Sequence, residues 1–512
     1  MMQQPISFYF DNRIVRVVDQ PITATVLAWL RGAVRRTGTK EGCAEGDCGA
    51  CTVIVAELAD EAGDAGGIRA GNLVLRPINA CIRFLPTLHG KALLTIEDLA
   101  GLTDRALHPV QQAMVDCHAS QCGFCTPGFV MSLFATYLRH QAAQTTPDRA
   151  AIAHDLAGNL CRCTGYRPIL DAAARMFTLP PATLDTAPIE AALRAVAAET
   201  GAGLSYAAAG QQGPGARFYA PREVDALAAW YAERPEATLL AGATDIGLWV
   251  NKQFRDVGDM IYLGDVAALR CIEREGDVLR IGAGATLEAA WAALIGLEPA
   301  LGEMALRFAG PPVRHAGTMG GNVANGSPIG DAAPVLMAMD ARLVLQHGAQ
   351  SREVPLDAFY LDYMFNDLAK GEFLRAILVP LPDPDTRMRA YKISKRFDCD
   401  ISALSCGLAV TLEGETISRV RLAFGGMAAT VRRARHAEAA LHGAVWGEAA
   451  VRAAMAALDE DFAPLSDLRA SRGYRRLVAR NLLWRFWLET RSAAPLPAAS
   501  VRVRAFAMAG VA

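Results

Sequence analysis

The sequence has almost no net charge. Its 512 residues carry 51 lysines and arginines against 53 aspartates and glutamates, a formal −2. That balance leaves no electrostatic footprint for nucleic acid or for an anionic membrane surface. Long apolar runs are missing as well, since no stretch reaches the ~18–20 unbroken apolar residues of a membrane span. The opening MMQQPISFYFDNR lacks a basic start, an apolar run and a small-residue cleavage site in order, so no secretory signal is read. There is no G-x-S-x-G and no H-E-x-x-H, and the nine histidines form no pair at i, i+4, which removes the common hydrolase and zinc-peptidase constellations. The expectation is a cytoplasmic globular chain whose thiols stay reduced. Its length asks for about three to five domains.

What is present in quantity is cysteine, and it is unevenly placed. Of twelve, nine lie in the first third. A disulfide framework suits neither the size nor the expected compartment, so metal is the better reading. Cys43-x4-Cys48-x2-Cys51, followed by Cys81 after 29 residues, is the plant-type spacing of a [2Fe–2S] cluster. Gly42, Gly46 and Gly49 sit among these cysteines, where a loop around a cluster needs positive φ and close backbone. Zinc favours paired C-x2-C units, and a dithiol at Cys48 and Cys51 would leave Cys43 and Cys81 idle. The second group is Cys122-Gly-Phe-Cys125, then Cys161-Arg-Cys163 after 35 residues. Its C-x-C half is not among the usual ferredoxin spacings, so iron–sulfur and zinc both stay open there. Cys117 reads as a small buried apolar residue.

The pattern divides the chain. Residues 5–16 alternate as a hairpin, 23–36 read as a helix, and 52–58 and 73–76 as strands. Together they suggest a small sheet domain with a cluster loop over 1–90. Residues 91–178 turn helical (108–118, 126–140, 147–157 and one helix after Pro168). Residues 179–215, rich in Ala, Pro and Thr, read as a linker with a possible short helix at 188–199. A glycine-rich α/β or α+β domain is expected over 216–400. A C-terminal domain over 401–495 has a strand at 419–424 and helices at 436–457 and 473–490. A tail follows at 496–512.

Two glycine-rich loops stand out in the third domain: Thr238–Gly247, and Gly317–Asp331. Both offer free N–H groups and small side chains, which is how backbone cradles a pyrophosphate. Ile281–Leu287 supplies G-x-G but has Leu287 where a third glycine belongs, so the Rossmann fingerprint fails. Lys392 or Arg396 is placed to neutralise an anion, although a solvated strand edge reads equally well. Phe308 is placed to stack on a flat ring, or else to fill a core.

Together these features resemble the molybdenum hydroxylase family, and within it the iron–sulfur and flavin portion of the xanthine dehydrogenases. The resemblance rests on EGCAEGDCGAC (Glu41–Cys51), QCGFCTPG (Gln121–Gly128), GNLCRCTGYRPI (Gly158–Ile169), GTMGGN (Gly317–Asn322) and AFGGMAATVRRA (Ala423–Ala434). It implies a multidomain α+β chain: a β-grasp ferredoxin-like domain, a helical [2Fe–2S] domain, an FAD-binding domain of vanillyl-alcohol-oxidase type, and an α/β C-terminal flavoprotein domain. It implies that Cys43, Cys48, Cys51 and Cys81 hold one cluster, and that Cys122, Cys125, Cys161 and Cys163 hold the other. For FAD it implies pyrophosphate loops at Leu239, Leu240, Ala241, Gly242, Ala243, Thr244, Asp245 and Ile246 and at Thr318, Met319, Gly320, Gly321 and Asn322. Further flavin contacts fall on Phe308, Ser327, Asp331, Leu374 and Lys392, and Gln121 falls near a molybdopterin. That cofactor is expected on a separate large subunit, in a two-plus-two heterotetramer, so no residue here is expected to catalyse hydroxylation. The implied activity is electron transfer to NAD⁺ during oxidation of hypoxanthine and xanthine to urate. The alternatives are the equivalent subunit for aldehydes or N-heterocycles, and a non-catalytic redox carrier.

Overall fold

The computed structural model describes residues 4–59, 66–102, 106–201, 203–209, 215–497 and 500–501. Most of the tail read at 496–512, and residues 210–214 of the expected linker, lie outside these. The first sheet is built from β1 (Ile6–Phe10), β2 (Arg13–Val17), β3 (Thr52–Leu58), β4 (Ile68–Ala70), β5 (Leu73–Asn79) and β6 (Ala92–Leu94). Their order is β2-β1-β6-β3-β5-β4. Asp11 and Asn12, at φ 54° and 57°, make the two-residue hairpin turn that matches strand twist. The helix Val26–Gly32 buries Val26, Leu27, Trp29 and Leu30 and completes the β-grasp. It is shorter than the 23–36 expected from pattern, because the chain turns left-handed at Arg35, φ 57°. Register places the first cysteine set. Thr52 pairs with Asn79, so Cys51 before β3 and Cys81 after β5 emerge at one end of the sheet.

Helices Pro109–Asp116, Thr126–Ala143, Arg149–Asp155 and Arg167–Arg175 follow. The 18-residue Thr126–Ala143 opens on Pro127 with Cys125 at its N-cap, and buries Gly128 through Leu138. Pro suits a first turn because the N–H it lacks has no partner there. The short helix read at 188–199 within the linker stretch is present as Ala187–Thr200, which buries Ile189, Leu193 and Val196. That i, i+4, i+7 spacing is an apolar stripe hidden in an alanine-rich composition.

Next come β7 (Gly203–Tyr206), β8 (Phe218–Pro221), β9 (Thr238–Leu240) and β10 (Met260–Tyr262), in the order β7-β8-β10-β9. Strands β8, β9 and β10 run parallel. A second sheet of this region uses β11 (Ile272–Glu275), β12 (Val278–Gly282), β13 (Arg342–His347) and β14 (Gln350–Pro355). A small hairpin, β15 (Tyr360–Asp362) and β16 (Phe365–Asn366), intervenes before β17 (Phe373–Pro380). The order is β11-β12-β17-β13-β14. The last sheet is β18 (Thr386–Ile393), β19 (Leu404–Glu413), β20 (Thr416–Gly425) and β21 (Arg432–Arg433), a meander packed against three helices. The single helix expected at 436–457 is two, Arg435–Leu441 and Glu448–Asp461. Gly443 at φ 76° breaks it, and Val445 bridges Thr416. No helix among the described residues is long and apolar enough to cross a membrane.

The first sheet lies against the region of the two glycine-rich loops. Val55, Glu57, Arg76 and Ile78 on β3 and β5 share a small cleft with Ala241, Thr286, His315 and Thr318. Burial alone would raise Glu57, but Arg76 and Arg270 hold it down to about 2. His315 is 5% exposed, and burial pushes it down to about 3. An unfolded histidine titrates near ~6.5. The unfolded chain therefore takes up a proton that the folded one excludes. This part of the stability is present above pH ~6.5 and is lost as pH falls toward 3. Between about pH 7 and about pH 5.5 the loss is about 1 kcal/mol for this one residue. His315→Asn should flatten the pH dependence of the denaturation midpoint by that amount; an unchanged slope would contradict a buried neutral imidazole.

Candidate functional site

The first cysteine set wraps the loop that leads into β3. Gly46 and Gly49 take φ 81° and 68°, conformations that cost a side-chain-bearing residue. Thiol contacts run from Cys48 to Cys43, from Cys43 to Cys81, and from Cys81 to Cys51. Cys43 is held low because Cys48 and Cys81 both donate to it. Cys81 is held high by its contacts with Cys43 and Cys51, and then by burial. The backbone N–H of Cys48 points at the Cys43 sulfur, 3.4 Å, and Asn79 Nδ2 lies 3.9 Å from the Cys51 sulfur.

The second set meets as two pairs. Cys163 and Cys122 have sulfurs 3.4 Å apart, and Cys125 touches Cys161. Burial, then contact with Cys161, pushes Cys125 up to about 12. Two thiolates ~2.3 Å from one tetrahedral ion stand about 3.8 Å apart, close to the Cys122–Cys163 spacing. No three His, Cys, Asp or Glu among the described residues converge as on a single ion. A two-iron cluster instead spreads four thiolates over two irons, and the donor sets fit that group. Tyr166 orients this loop, accepting from the Cys161 N–H at 2.9 Å. Cys122 and Cys163 are exposed, while Cys161 is buried.

The two cysteine loops touch. The Leu160 N–H donates to the Cys48 carbonyl, 3.0 Å. Asn159 Nδ2 donates to the Gly49 carbonyl, 3.1 Å, and its Oδ1 accepts from Ser132 Oγ at 2.7 Å. A Cβ on Gly128 would stand 2.1 Å from the Gly49 carbonyl oxygen, so only glycine allows the approach.

On its other side the first loop meets a cavity of about 330 Å³, within the range of cofactor sites. Gly46 and Asp47 form one wall. Of the residues expected at the flavin, Asp245, Phe308, Asn322, Ser327, Asp331 and Lys392 line it. Asn322 Oδ1 is buried with no hydrogen-bond partner, an acceptor left for a ligand donor. The loops are in place because Gly242 packs on the Ala316–Gly317 backbone and Gly320 on Ala283. Thr318 caps the helix Met319–Asn325, accepting from the Gly321 N–H at 3.1 Å, and with Ala241 it lines the neighbouring cleft. Met319 is fully buried in the core, and Leu374 on β17 packs beside Leu345. Neither these two nor Leu239, Leu240, Gly242, Ala243, Thr244, Ile246, Gly320 and Gly321 are among the residues that line the cavity.

Lys392 is neither a free cation nor a solvated edge. It is 5% exposed, and its Nζ donates to Asp331 Oδ2 at 2.5 Å. Asp331 Oδ1 accepts from Ser402 Oγ at 2.6 Å. Arg396 lies outside, hydrogen-bonded to the Cys399 carbonyl. Two guanidiniums set the walls. Arg307 donates to the Lys392 carbonyl, 2.7 Å, and Arg314 to the Ala309 carbonyl, 2.8 Å. Sequence reasoning missed Cys399. Its thiol lines the cavity and donates to the Ala157 carbonyl at 3.0 Å, and burial pushes it up to about 11. Nothing local in the sequence signals that placement.

Three family models match: a [2Fe-2S] binding domain over 95–174, the FAD binding domain in molybdopterin dehydrogenase over 213–382, and the CO dehydrogenase flavoprotein C-terminal domain over 389–490. A xanthine dehydrogenase from Emericella nidulans is 31% identical, with 94% of this chain and 38% of that protein covered. One from Dictyostelium discoideum is 30% identical, covering 95% and 40%. An aldehyde oxidase 4 from Cavia porcellus is 27% identical, covering 95% and 39%. The chain thus spans about two fifths of the length of these relatives. Among solved structures, carbon monoxide dehydrogenase from Hydrogenophaga pseudoflava is 30% identical, with TM-score 0.50, 54% of this chain and 96% of that chain covered. The cysteine-rich third is accordingly iron–sulfur machinery, the following third binds FAD, and the chain belongs to the molybdenum hydroxylase family of oxidoreductases.

Proposed function

We propose that the chain is the electron-transfer subunit of a xanthine dehydrogenase, receiving electrons from a molybdopterin site on a large partner subunit and delivering them to NAD⁺. When bound, two [2Fe–2S] clusters supply one-electron carriage and FAD a two-electron store able to release a hydride. Cys43, Cys48, Cys51 and Cys81 hold one cluster; Cys122, Cys125, Cys161 and Cys163 hold the other. Phe308, Asn322, Ser327, Asp331 and Lys392 bound the flavin, and Leu239–Ile246 with Thr318–Asn322 approach its pyrophosphate. Leu374 supports that site from the core. The assembly is a cytoplasmic two-plus-two heterotetramer.

The observation that carries the reading is the continuity of the three sites. The exposed Cys122 and Cys163 offer a face to a partner. Two hydrogen bonds, Leu160 N–H to the Cys48 carbonyl and Asn159 Nδ2 to the Gly49 carbonyl, join the second cysteine loop to the first. Gly46 and Asp47 of the first loop then form the wall of the flavin cavity. The protein's part is to hold three redox groups at fixed spacing and keep water from the buried steps.

A second reading, the same subunit serving an aldehyde oxidase, is favoured by the match over 95% of the chain to such an enzyme. An anaerobic visible spectrum of the native complex separates the two. Xanthine should bleach the flavin and iron–sulfur bands. Bleaching by NADH and by an aldehyde, but not by xanthine, would overturn the xanthine assignment and leave the electron-transfer role standing.

A further inference from the structure

The loop Ala241–Asp245 runs directly into the short helix Ile246–Asn251, and this helix is pressed on the first cysteine loop. A Cβ on Gly247 would stand 2.8 Å from Ile82, the residue after Cys81. At the last residue of the helix, Asn251 Nδ2 donates to two carbonyls at once: Cys81, 2.7 Å, and Ala44, 3.1 Å. Ala44 lies between Cys43 and Cys48 in the left-handed region, φ 56°, where a residue with a side chain is held only by its surroundings. Lys252, the next residue, adds a looser contact to Glu45 at 3.8 Å.

We infer that Asn251 is a positioning residue of the cluster–flavin junction. One side-chain amide ties both segments that carry the first cysteine set to the helix growing out of the expected pyrophosphate loop. A displacement of either is thereby passed to the other. The amide also sets the local field. Its N–H groups offset the negative ends of two carbonyl dipoles beside the four cysteines, and outer-shell polarity of this sort tunes a metal site even where it does not touch the sulfurs. The inference rests on the reading of Cys43, Cys48, Cys51 and Cys81 as ligands of a [2Fe–2S] cluster.

Asn251→Leu removes both donors at similar volume. Asn251→Asp, closer still in shape, removes them and adds a negative charge. Reductive titration of the assembled complex, followed by low-temperature electron paramagnetic resonance, reads each cluster separately. The expected result is a fall in the reduced-to-oxidised ratio of one cluster at fixed poise. It should be about tenfold in Asn251→Leu, or about 59 mV for one electron, and larger in Asn251→Asp. The other cluster and the FAD content should not change. Wild-type titration of both clusters in variants with full iron and FAD would overturn the inference, as would equal shifts of both. Should Asn251→Leu fail to assemble, Asn251→Asp decides by the same criterion. A wild-type complex lacking two cluster signals overturns the cluster assignment itself and this inference with it.

Discussion

Cys122→Ser should stop flavin reduction from the partner subunit while leaving flavin reduction by NADH intact. A serine hydroxyl at position 122 stays protonated near neutral pH and is a harder, weaker iron ligand than a thiolate. Losing a partner beyond the ligand shell typically costs 10–100-fold, so losing a ligand itself should exceed about a hundredfold in substrate-to-NAD⁺ turnover. The residue is exposed and its sulfur meets that of Cys163, so the fold should survive. The lesion sits at the entry to the proposed route, and the flavin cavity lies beyond the first cysteine loop. The paired measurement is an anaerobic spectrum after substrate and, separately, after NADH. Substrate turnover within tenfold of wild type, in a complex with full partner assembly, would remove Cys122 from the route.

The first cysteine set could be read as iron–sulfur because three of its four cysteines are near neighbours at plant-type spacing; at the second set spacing left iron–sulfur and zinc open, and the resemblance chose between them. The β-grasp hairpin was legible for a similar reason, since Asp11 and Asn12 are turn residues flanked by alternating strands. What joins the motifs was not. The Leu160–Cys48 bond, the Asn251 contacts with Cys81 and Ala44, and the Cys399–Ala157 bond link residues far apart in sequence. No local pattern marks an asparagine as a bridge or a cysteine as a cavity wall. Within the alanine-rich stretch 179–215 the short helix read at 188–199 is present as Ala187–Thr200, and it buries Ile189, Leu193 and Val196. At Lys392 the local mixture of cations and aromatics left a solvated edge and an anion site equally open. Its partner Asp331 is 61 residues away, and that distance is why the ambiguity could not be resolved from sequence.

Asp331→Ala tests what that pairing does. Both carboxylate oxygens are engaged, one by Lys392 and one by Ser402, and both charged side chains are almost wholly buried. Removing one member strands the ammonium, and breaking a buried pair in this way costs about 3–5 kcal/mol. Lys392→Met strands the carboxylate instead and should cost about as much. In the double variant no unpaired charge remains. Replacing both charges with apolar groups is often close to neutral, so the denaturation midpoint should return near that of wild type stripped of FAD, the bound flavin itself adding stability to the loaded protein. FAD retention should not return with it, since two of the polar walls of the cavity are gone. Flavin fluorescence released on dialysis, read beside the unfolding curve, separates the two effects. A double variant as unstable as the sum of the singles would show that the pair does not couple. A double variant that keeps its FAD would show that Asp331 and Lys392 shape the wall without contacting the flavin. The pair is neutral as a whole, so what it offers a ligand is directed hydrogen bonding more than net charge, and a flavin held this way should bind with little dependence on ionic strength.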